Sequence, residues 1–384
     1  MQGRWWHARC DLGFSPTASP SIRHLYTSMI NASSGNIQRG VFALRSACVA
    51  LALFSASSCL EGKENAAALS ERNTDETMNE QARGNRDGHL GIDASIRDLL
   101  SHSAFAGFGH LILPWDDRAY DASMRLSNIG SLLPYHSHVN PGDVVTALNR
   151  MIDDASNGKT VFYHFYTGAR KQQQPSRENT GLFFFRGRPG APFAVISPGG
   201  GFSYVGSVHE GFPYAAAISK NGYNAFVLRY QAGHGGAIAT QDLAAAISYI
   251  FRNADMLGVS TDGYSLWGSS AGARTAAAIG SHGVAHFGGD NLPRPSAVVM
   301  AYTGHADVSS DEPPTFVVVG EHDGIAPPSA MERRIAALRR AGTEVEYHKF
   351  NNLGHGFGLG TGTSAAGWID DAIRFWERFT MKRK

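Results

Sequence analysis

The stretch Tyr264-Ser265-Leu266-Trp267-Gly268-Ser269-Ser270-Ala271-Gly272-Ala273-Arg274-Thr275-Ala276-Ala277-Ala278 decides the reading of this chain. It opens as a buried-type strand and closes in an alanine-rich run that favours helix. Gly268-Ser269-Ser270-Ala271-Gly272 joins the two in the pattern Gly-x-Ser-x-Gly. The physical logic of that pattern is a sharp strand-to-helix turn with the serine at its apex in a strained conformation. Glycines two residues to either side remove side chains that would collide there. The helix that follows aims its N-terminal amides at the serine oxygen. Short patterns of this kind recur by chance in a chain rich in Gly and Ser, so the flanking strand and helix carry the weight. Ser270 is the candidate nucleophile, and the bland alternative is a plain turn. Ser269 lacks the flanking glycines.

Outward from this turn the alternation is regular. Before it lie strand Phe193–Ser197, a Gly-rich loop, a helix around 211–219, strand Ala225–Tyr230 and helix Gln241–Leu257. After it lie strands Ala297–Tyr302 and Thr315–Val319, helix Ser329–Ala341, strand Glu344–Phe350 and a last helix from Ala365 to Phe379. Thr160–Tyr166 and Gly181–Arg186 read as two earlier strands separated by a polar segment, Arg170 to Glu178, expected to be an exposed loop. Strands alternating with helices of 10–17 residues predict βαβ units, hence a doubly wound, mainly parallel sheet with helices on both faces. Upstream, Ile92–Leu100 and Val144–Ile152 have helical spacing, and the loops Phe105–Gly109 and Leu132–His136 find no place in the pattern. Residues 160–384 form the expected catalytic domain, and 92–159 a helical extension that could cover the site.

A serine hydroxyl needs a base within hydrogen-bond reach and an acid to orient that base. Beyond a nucleophile turn of this kind the acid precedes the base, each on a loop after a strand. Asp323, in Gly320-Glu321-His322-Asp323-Gly324, follows one strand, with Glu321 and Asp307 as fallback acids. His355, in Leu353-Gly354-His355-Gly356-Phe357, follows the last strand. Among 16 histidines it alone combines that loop with flanking glycines. A tetrahedral intermediate also needs preorganised N–H donors. The residue after the nucleophile, Ala271, offers one, and the loop Pro198-Gly199-Gly200-Gly201-Phe202 is placed to offer others. That loop fails the spacing of dinucleotide and Walker-type phosphate loops.

Ser197-Pro198-Gly199-Gly200-Gly201-Phe202, Gly268–Gly272, Gly320–Asp323 and Gly354–Phe357, in that order, resemble the α/β-hydrolase superfamily. More narrowly they resemble its esterase branch of acetyl esterases, acetyl-xylan esterases and hormone-sensitive-lipase-like enzymes. The resemblance runs from about Thr160 to the C-terminus. It implies an α/β-hydrolase fold, ester hydrolysis and an oxyanion hole built by Gly200, Gly201 and Ala271. Many members carry His before the glycines, where this chain has Ser197-Pro198. Some carbohydrate-esterase-like members resemble the Pro version.

Between the sixth strand and the strand before Asp323 only residues 303–314 intervene, too few for a cap domain. Cover would have to come from residues 92–155, with Phe105, Phe108, Tyr120 and Tyr135. The expected site is therefore open and suited to small-molecule or glycan esters with short acyl groups. Phe202, His209 and His305 are candidate lining residues, although His209 and His305 also fit structural roles. No His, Asp or Glu cluster has metal spacing, and the reaction needs no cofactor. Net charge +1 gives no argument for nucleic acid. Alternatives kept open are a prolyl-oligopeptidase-like serine peptidase, acyl transfer to an alcohol, and a non-catalytic binding protein.

The N-terminal region reads as a leader. Val41 to Ser58 is a short apolar run after Arg39 and interrupted by Arg45. Its core, Ala47 to Phe54, is far short of the ~20 residues that span a bilayer. With its basic flank and small residues it matches an export signal. Phe54-Ser55-Ala56-Ser57-Ser58-Cys59 is similar to a lipoprotein cleavage site with Cys59 as the lipidated residue and membrane attachment point, although a larger aliphatic residue is usual at Ala56. An ordinary cleaved signal or an uncleaved helix are the alternatives, and Met29 is a candidate start. Residues 60–91, polar through about Gly88, read as a flexible tether. The expectation is export to a periplasmic or cell-surface location. The three cysteines, Cys10, Cys48 and Cys59, all precede the catalytic region.

Overall fold

The computed structural model describes residues 88–380. The leader, nearly all of the tether and all three cysteines lie outside the described residues.

Eight strands form one sheet in the order β1-β2-β4-β3-β5-β6-β7-β8. They are β1 (Phe162–Tyr163), β2 (Gly181–Phe185), β3 (Pro192–Ser197), β4 (Asn224–Arg229), β5 (Ser260–Ser269), β6 (Ala297–Ala301), β7 (Thr315–Gly320) and β8 (Val345–Phe350). β1 pairs with β2 and β2 with β4 in antiparallel fashion, and every other pairing is parallel. This is the doubly wound α/β-hydrolase sheet that the strand pattern and the resemblance predict. The helices are α1 (Ile96–Ser101), α2 (Pro141–Ser156), α3 (Gly168–Gln173), α4 (Phe212–Lys220), α5 (Gly235–Arg252), α6 (Ala254–Leu257), α7 (Ala271–His282), α8 (Pro328–Arg340) and α9 (Trp368–Thr380).

Because successive strand residues point to opposite faces, the apolar strands feed two cores. Phe183, Phe185, Ile196, Val227, Trp267, Val299 and Val318 face a layer made by α4, α9 and the N-terminal extension. Leu182, Phe184, Val195, Phe226, Leu266, Met300 and Val319 face α5, α7 and α8. Burial on both faces explains why β2–β7 read as nearly continuous apolar runs.

Two local expectations are corrected. Arg170 to Glu178 is not a plain loop. Thr167 caps α3 through Arg170 N, Pro175 opens a 3-10 turn, and Lys171 is drawn in by His164 and Glu178. The strand expected over Thr160–Tyr166 shrinks to two paired residues. Phe165 and Tyr166 leave the edge ladder and pack against each other in the second core.

The extension belongs to the first core. Leu90, Ile96, Leu99, Leu111, Ile112, Leu126 and Ile129 are buried in the same cluster as the strands. Fully buried Arg229, at the end of β4, donates to the Pro114 carbonyl at 3.0 Å and pairs with Asp116. A buried guanidinium held this way is costly to expose or unpair, so the segment is anchored by charge as well as by apolar contact.

Candidate active site

Ser270 lies between β5 and α7 with φ +50° and ψ −117°, outside the regions open to ordinary L-residues. Its N–H donates to the Ala301 carbonyl at 2.8 Å. The flanking glycines are required by contact. A Cβ on Gly268 would lie 2.5 Å from the Gly272 carbonyl oxygen, and one on Gly272 only 1.9 Å from that of Ser197. The sheet therefore closes around the turn, and Ser270 stays half-buried at its tip.

The two expected partners meet it there. His355 Nε2 is 2.8 Å from Ser270 Oγ, and His355 Nδ1 is 2.7 Å from Asp323 Oδ2. The other oxygen of Asp323 accepts the N–H groups of Ile325 and Ala326 at 2.9 and 2.7 Å. These bonds hold the buried carboxylate in place and leave Oδ2 for the imidazole. Tyr302 lies edge-on to the His355 ring at 5.1 Å, closing the side away from solvent. The fallback acids are elsewhere: Asp307 pairs with His282, and Glu321 is exposed.

The Gly-rich loop runs past the nucleophile. A Cβ on Gly199 would stand 3.0 Å from Ser270 Cβ. Gly200 and Gly201 take φ values of +126° and +63°, the conformations that glycine alone adopts freely. Among the described residues the N–H groups of Gly200, Gly201 and Ala271 meet no protein acceptor. The N–H of Gly199 does: it donates to Glu210 Oε2 at 2.6 Å.

The candidate lining residues separate. Phe202 and His305 lie on the wall of one cavity of about 430 Å³, together with Thr240 and Arg274. His305 is pushed down to about 4 by burial and the nearby Arg334. His209 is not a lining residue, which corrects the expectation. It sits in a wide turn of π-helix, Ser207–Gly211, and is buried with Nε2 donating to the Gly356 carbonyl at 2.9 Å. Burial and the neighbouring His136 push it down to about 4.

Neither His136 nor Glu210 is among the site residues that the sequence points to. Glu210 is fully buried, and its Oε1 lies 2.7 Å from Tyr302 Oη and 3.0 Å from His136 Nε2. Burial pushes its carboxyl up, but His136, His209 and the Tyr302 hydroxyl outweigh that and hold it down at about 2. The available signal was a glutamate set among Val208, Gly211 and Phe212, where a solvated charge has no place. Of the aromatics expected as cover, Phe105 is buried, Phe108 stacks on Phe162, and Tyr120 bonds Trp115. Tyr135 alone is at the site, its exposed ring beside Gly201 and stacked on Tyr204. Among the described residues no three His, Cys, Asp or Glu side chains come together as a metal site, and no helix is long and apolar enough to cross a membrane.

A sequence model of the prolyl oligopeptidase family matches residues 289–382, a stretch that holds Asp323 and His355 but not Ser270. An acetylxylan esterase of Xylanibacter ruminicola is 23% identical over 208 residues, covering 46% of this chain and 43% of the relative. The chain thus spans less than half the length of that curated relative. Among solved structures, an α/β hydrolase enzyme from a Medee basin deep-sea metagenome library is 26% identical, covering 53% of this chain and 93% of its own, with a TM-score of 0.46. The carboxylesterase Cest-2923 from Lactobacillus plantarum is 21% identical over 52% of this chain and 92% of its own, with a TM-score of 0.46. The strand order and directions give the chain the α/β-hydrolase fold, and its sequence is similar both to a prolyl oligopeptidase family model and to an acetylxylan esterase.

Proposed function

We propose that this protein is a serine hydrolase of carboxylic esters, acting on short acyl groups carried by small alcohols or carbohydrates. The observation that carries the reading is the Ser270 Oγ to His355 Nε2 contact of 2.8 Å, at a turn whose backbone forces the hydroxyl outward, with Asp323 behind the imidazole.

In this mechanism Ser270 Oγ attacks the ester carbonyl carbon while its proton passes to His355 Nε2. The carbonyl π-electrons move to oxygen, and the N–H groups of Gly200, Gly201 and Ala271 receive that charge. On collapse the bond to the alcohol oxygen breaks, and His355 returns the proton to it. Water then attacks the acyl-Ser270 ester, giving its proton to His355, and the carboxylic acid leaves as Ser270 regains its hydrogen. Asp323 keeps Nδ1 protonated throughout and offsets the imidazolium charge.

Short acyl and carbohydrate substrates are supported by the 13 residues between β6 and β7, 302–314, which form neither helix nor strand, and by the acetylxylan esterase relative. The leader reading puts the enzyme outside the cytoplasm, with Cys59 as its lipid anchor. Hydrolysis of p-nitrophenyl acetate, butyrate and palmitate, beside Ser270→Ala, tests the proposal. Turnover of acetate over palmitate, lost in Ser270→Ala, is expected; a palmitate preference contradicts the short-acyl assignment.

A second reading, a serine peptidase, is favoured by the family match over residues 289–382. Cleavage of a proline p-nitroanilide dipeptide without ester turnover would select it.

A further inference from the structure

We propose that His136 and Glu210 are a positioning pair that sets the oxyanion loop, so that the N-terminal extension carries part of the machinery of the Ser270 site. The inference rests on the ester-hydrolase reading above. Two chains of contact start at His136 and end on successive residues of the loop. Through Nε2 it reaches Glu210 Oε1 at 3.0 Å, and Glu210 Oε2 holds the Gly199 N–H at 2.6 Å. Through Nδ1 it meets Tyr204 Oη at 2.8 Å, and the Tyr204 N–H donates to the Gly200 carbonyl at 3.3 Å. With the Gly199 N–H committed to the carboxylate, the amides of Gly200 and Gly201 are the ones left to receive an oxyanion.

Electrostatics demands the pair as well as geometry. A carboxylate one residue from the oxyanion position repels the charge that develops there, most strongly in a site shielded from water. His136, whose side chain is 2% exposed, meets the fully buried carboxylate at 3.0 Å and is the strongest of the neighbours that hold it low. The other groups facing Glu210 are His209 on its own turn, Tyr302 after β6, Tyr214 on α4 and Tyr204 on the loop; Tyr230, at the end of β4, lies near enough to feel its charge. The tyrosine hydroxyls carry no positive charge, and His209, held low by burial, is neutral near pH 7, so the 3.0 Å contact with His136 is the one that offsets the carboxylate.

The test compares wild type, His136→Ala, His136→Gln, Glu210→Gln, the double variant His136→Ala with Glu210→Gln, and Ser270→Ala, all in the full chain. In His136→Ala, kcat on p-nitrophenyl acetate should fall about 10²-fold with KM within two-fold, the pattern of a lost transition-state interaction. His136→Gln, which keeps a donor toward Oε1, should recover part of the loss. The double variant should be faster than His136→Ala, because it removes the uncompensated charge; a purely structural role predicts additive losses. Amide hydrogen exchange over residues 198–206 should quicken at least ten-fold in His136→Ala and stay unchanged in Ser270→Ala. If wild type hydrolyses no ester, the function above fails and the exchange result alone judges the pair. Unaltered exchange in both His136 variants, or kcat within two-fold of wild type, overturns it.

Discussion

The hydroxyl of Ser137 donates a 2.7 Å hydrogen bond to the carbonyl oxygen of His355, joining residues 218 apart in sequence. The Ser137 N–H donates to the next carbonyl, that of Gly356, at 2.9 Å. A Cβ on Gly356, whose φ is +69°, would lie 2.6 Å from the Tyr135 carbonyl oxygen. The loop that presents His355 is therefore clamped from outside by the extension. Ser137→Ala removes the side-chain bond and keeps the backbone one. We expect a loss of about 1 kcal/mol, or roughly 2–4 °C in Tm by calorimetry, with kcat lowered less than ten-fold. An unchanged Tm would mean that the clamp does not need the hydroxyl.

Asp323→Asn keeps the shape of the acid and removes its charge. The amide must still accept from Ile325 and Ala326 through its oxygen. Its NH2 group then faces His355 Nδ1, which has to become an acceptor. That tautomer carries its proton on Nε2 and cannot take one from Ser270. A fall in kcat of about 10³–10⁴-fold is expected, with KM little changed. A fall below ten-fold would show that Asp323 does not set the tautomer.

The mainly parallel sheet, the nucleophile turn and the loops of Asp323 and His355 were legible because each rests on a local rule: apolar runs for strands, glycines for a turn without room, one loop per strand. Leu132–His136 was not legible because nothing local explains it. Its partners, Glu210, Tyr204 and the His355 loop, lie 68 or more residues away in the chain. His209 misled for a related reason. Its position just past the glycine loop suggested a side chain facing the substrate. The π-helical turn, one residue wider per turn than an α-helix, instead carries both His209 and Glu210 inward.

Glycines of different kinds around the site should respond differently to alanine. Gly272→Ala forces a Cβ to within 1.9 Å of the Ser197 carbonyl and 2.5 Å of the Pro198 carbonyl, both backbone atoms that cannot step aside. A loss of about 3 kcal/mol or more is expected, seen as failure to fold or a Tm lowered by several degrees. Gly233 has φ +79° but open space around it. Gly233→Ala should lose only about 1–2 kcal/mol, the cost of the left-handed backbone. Equal losses in urea unfolding would remove steric contact as the reason for glycine at position 272.

His209 gives the fold a defined acid sensitivity. Burial holds it at about 4, against 6.5 for a free side chain, and its Nε2 donates to the Gly356 carbonyl. The unfolded chain therefore takes up a proton at higher pH than the folded one. The native imidazole's contribution is complete above about pH 6.5 and is lost as pH falls toward 4, a difference of about 3 kcal/mol. His305, also held at about 4, adds a share of the same sign, whereas Glu210, held at about 2, acts only below about pH 4.5. Urea unfolding at pH 7, 6, 5 and 4 should show stability falling through this window. In His209→Gln the slope should be shallower by up to about 1.4 kcal/mol per pH unit, one proton's worth, whatever the absolute stability of the variant. An identical slope would mean that His209 titrates alike in the folded and unfolded chains.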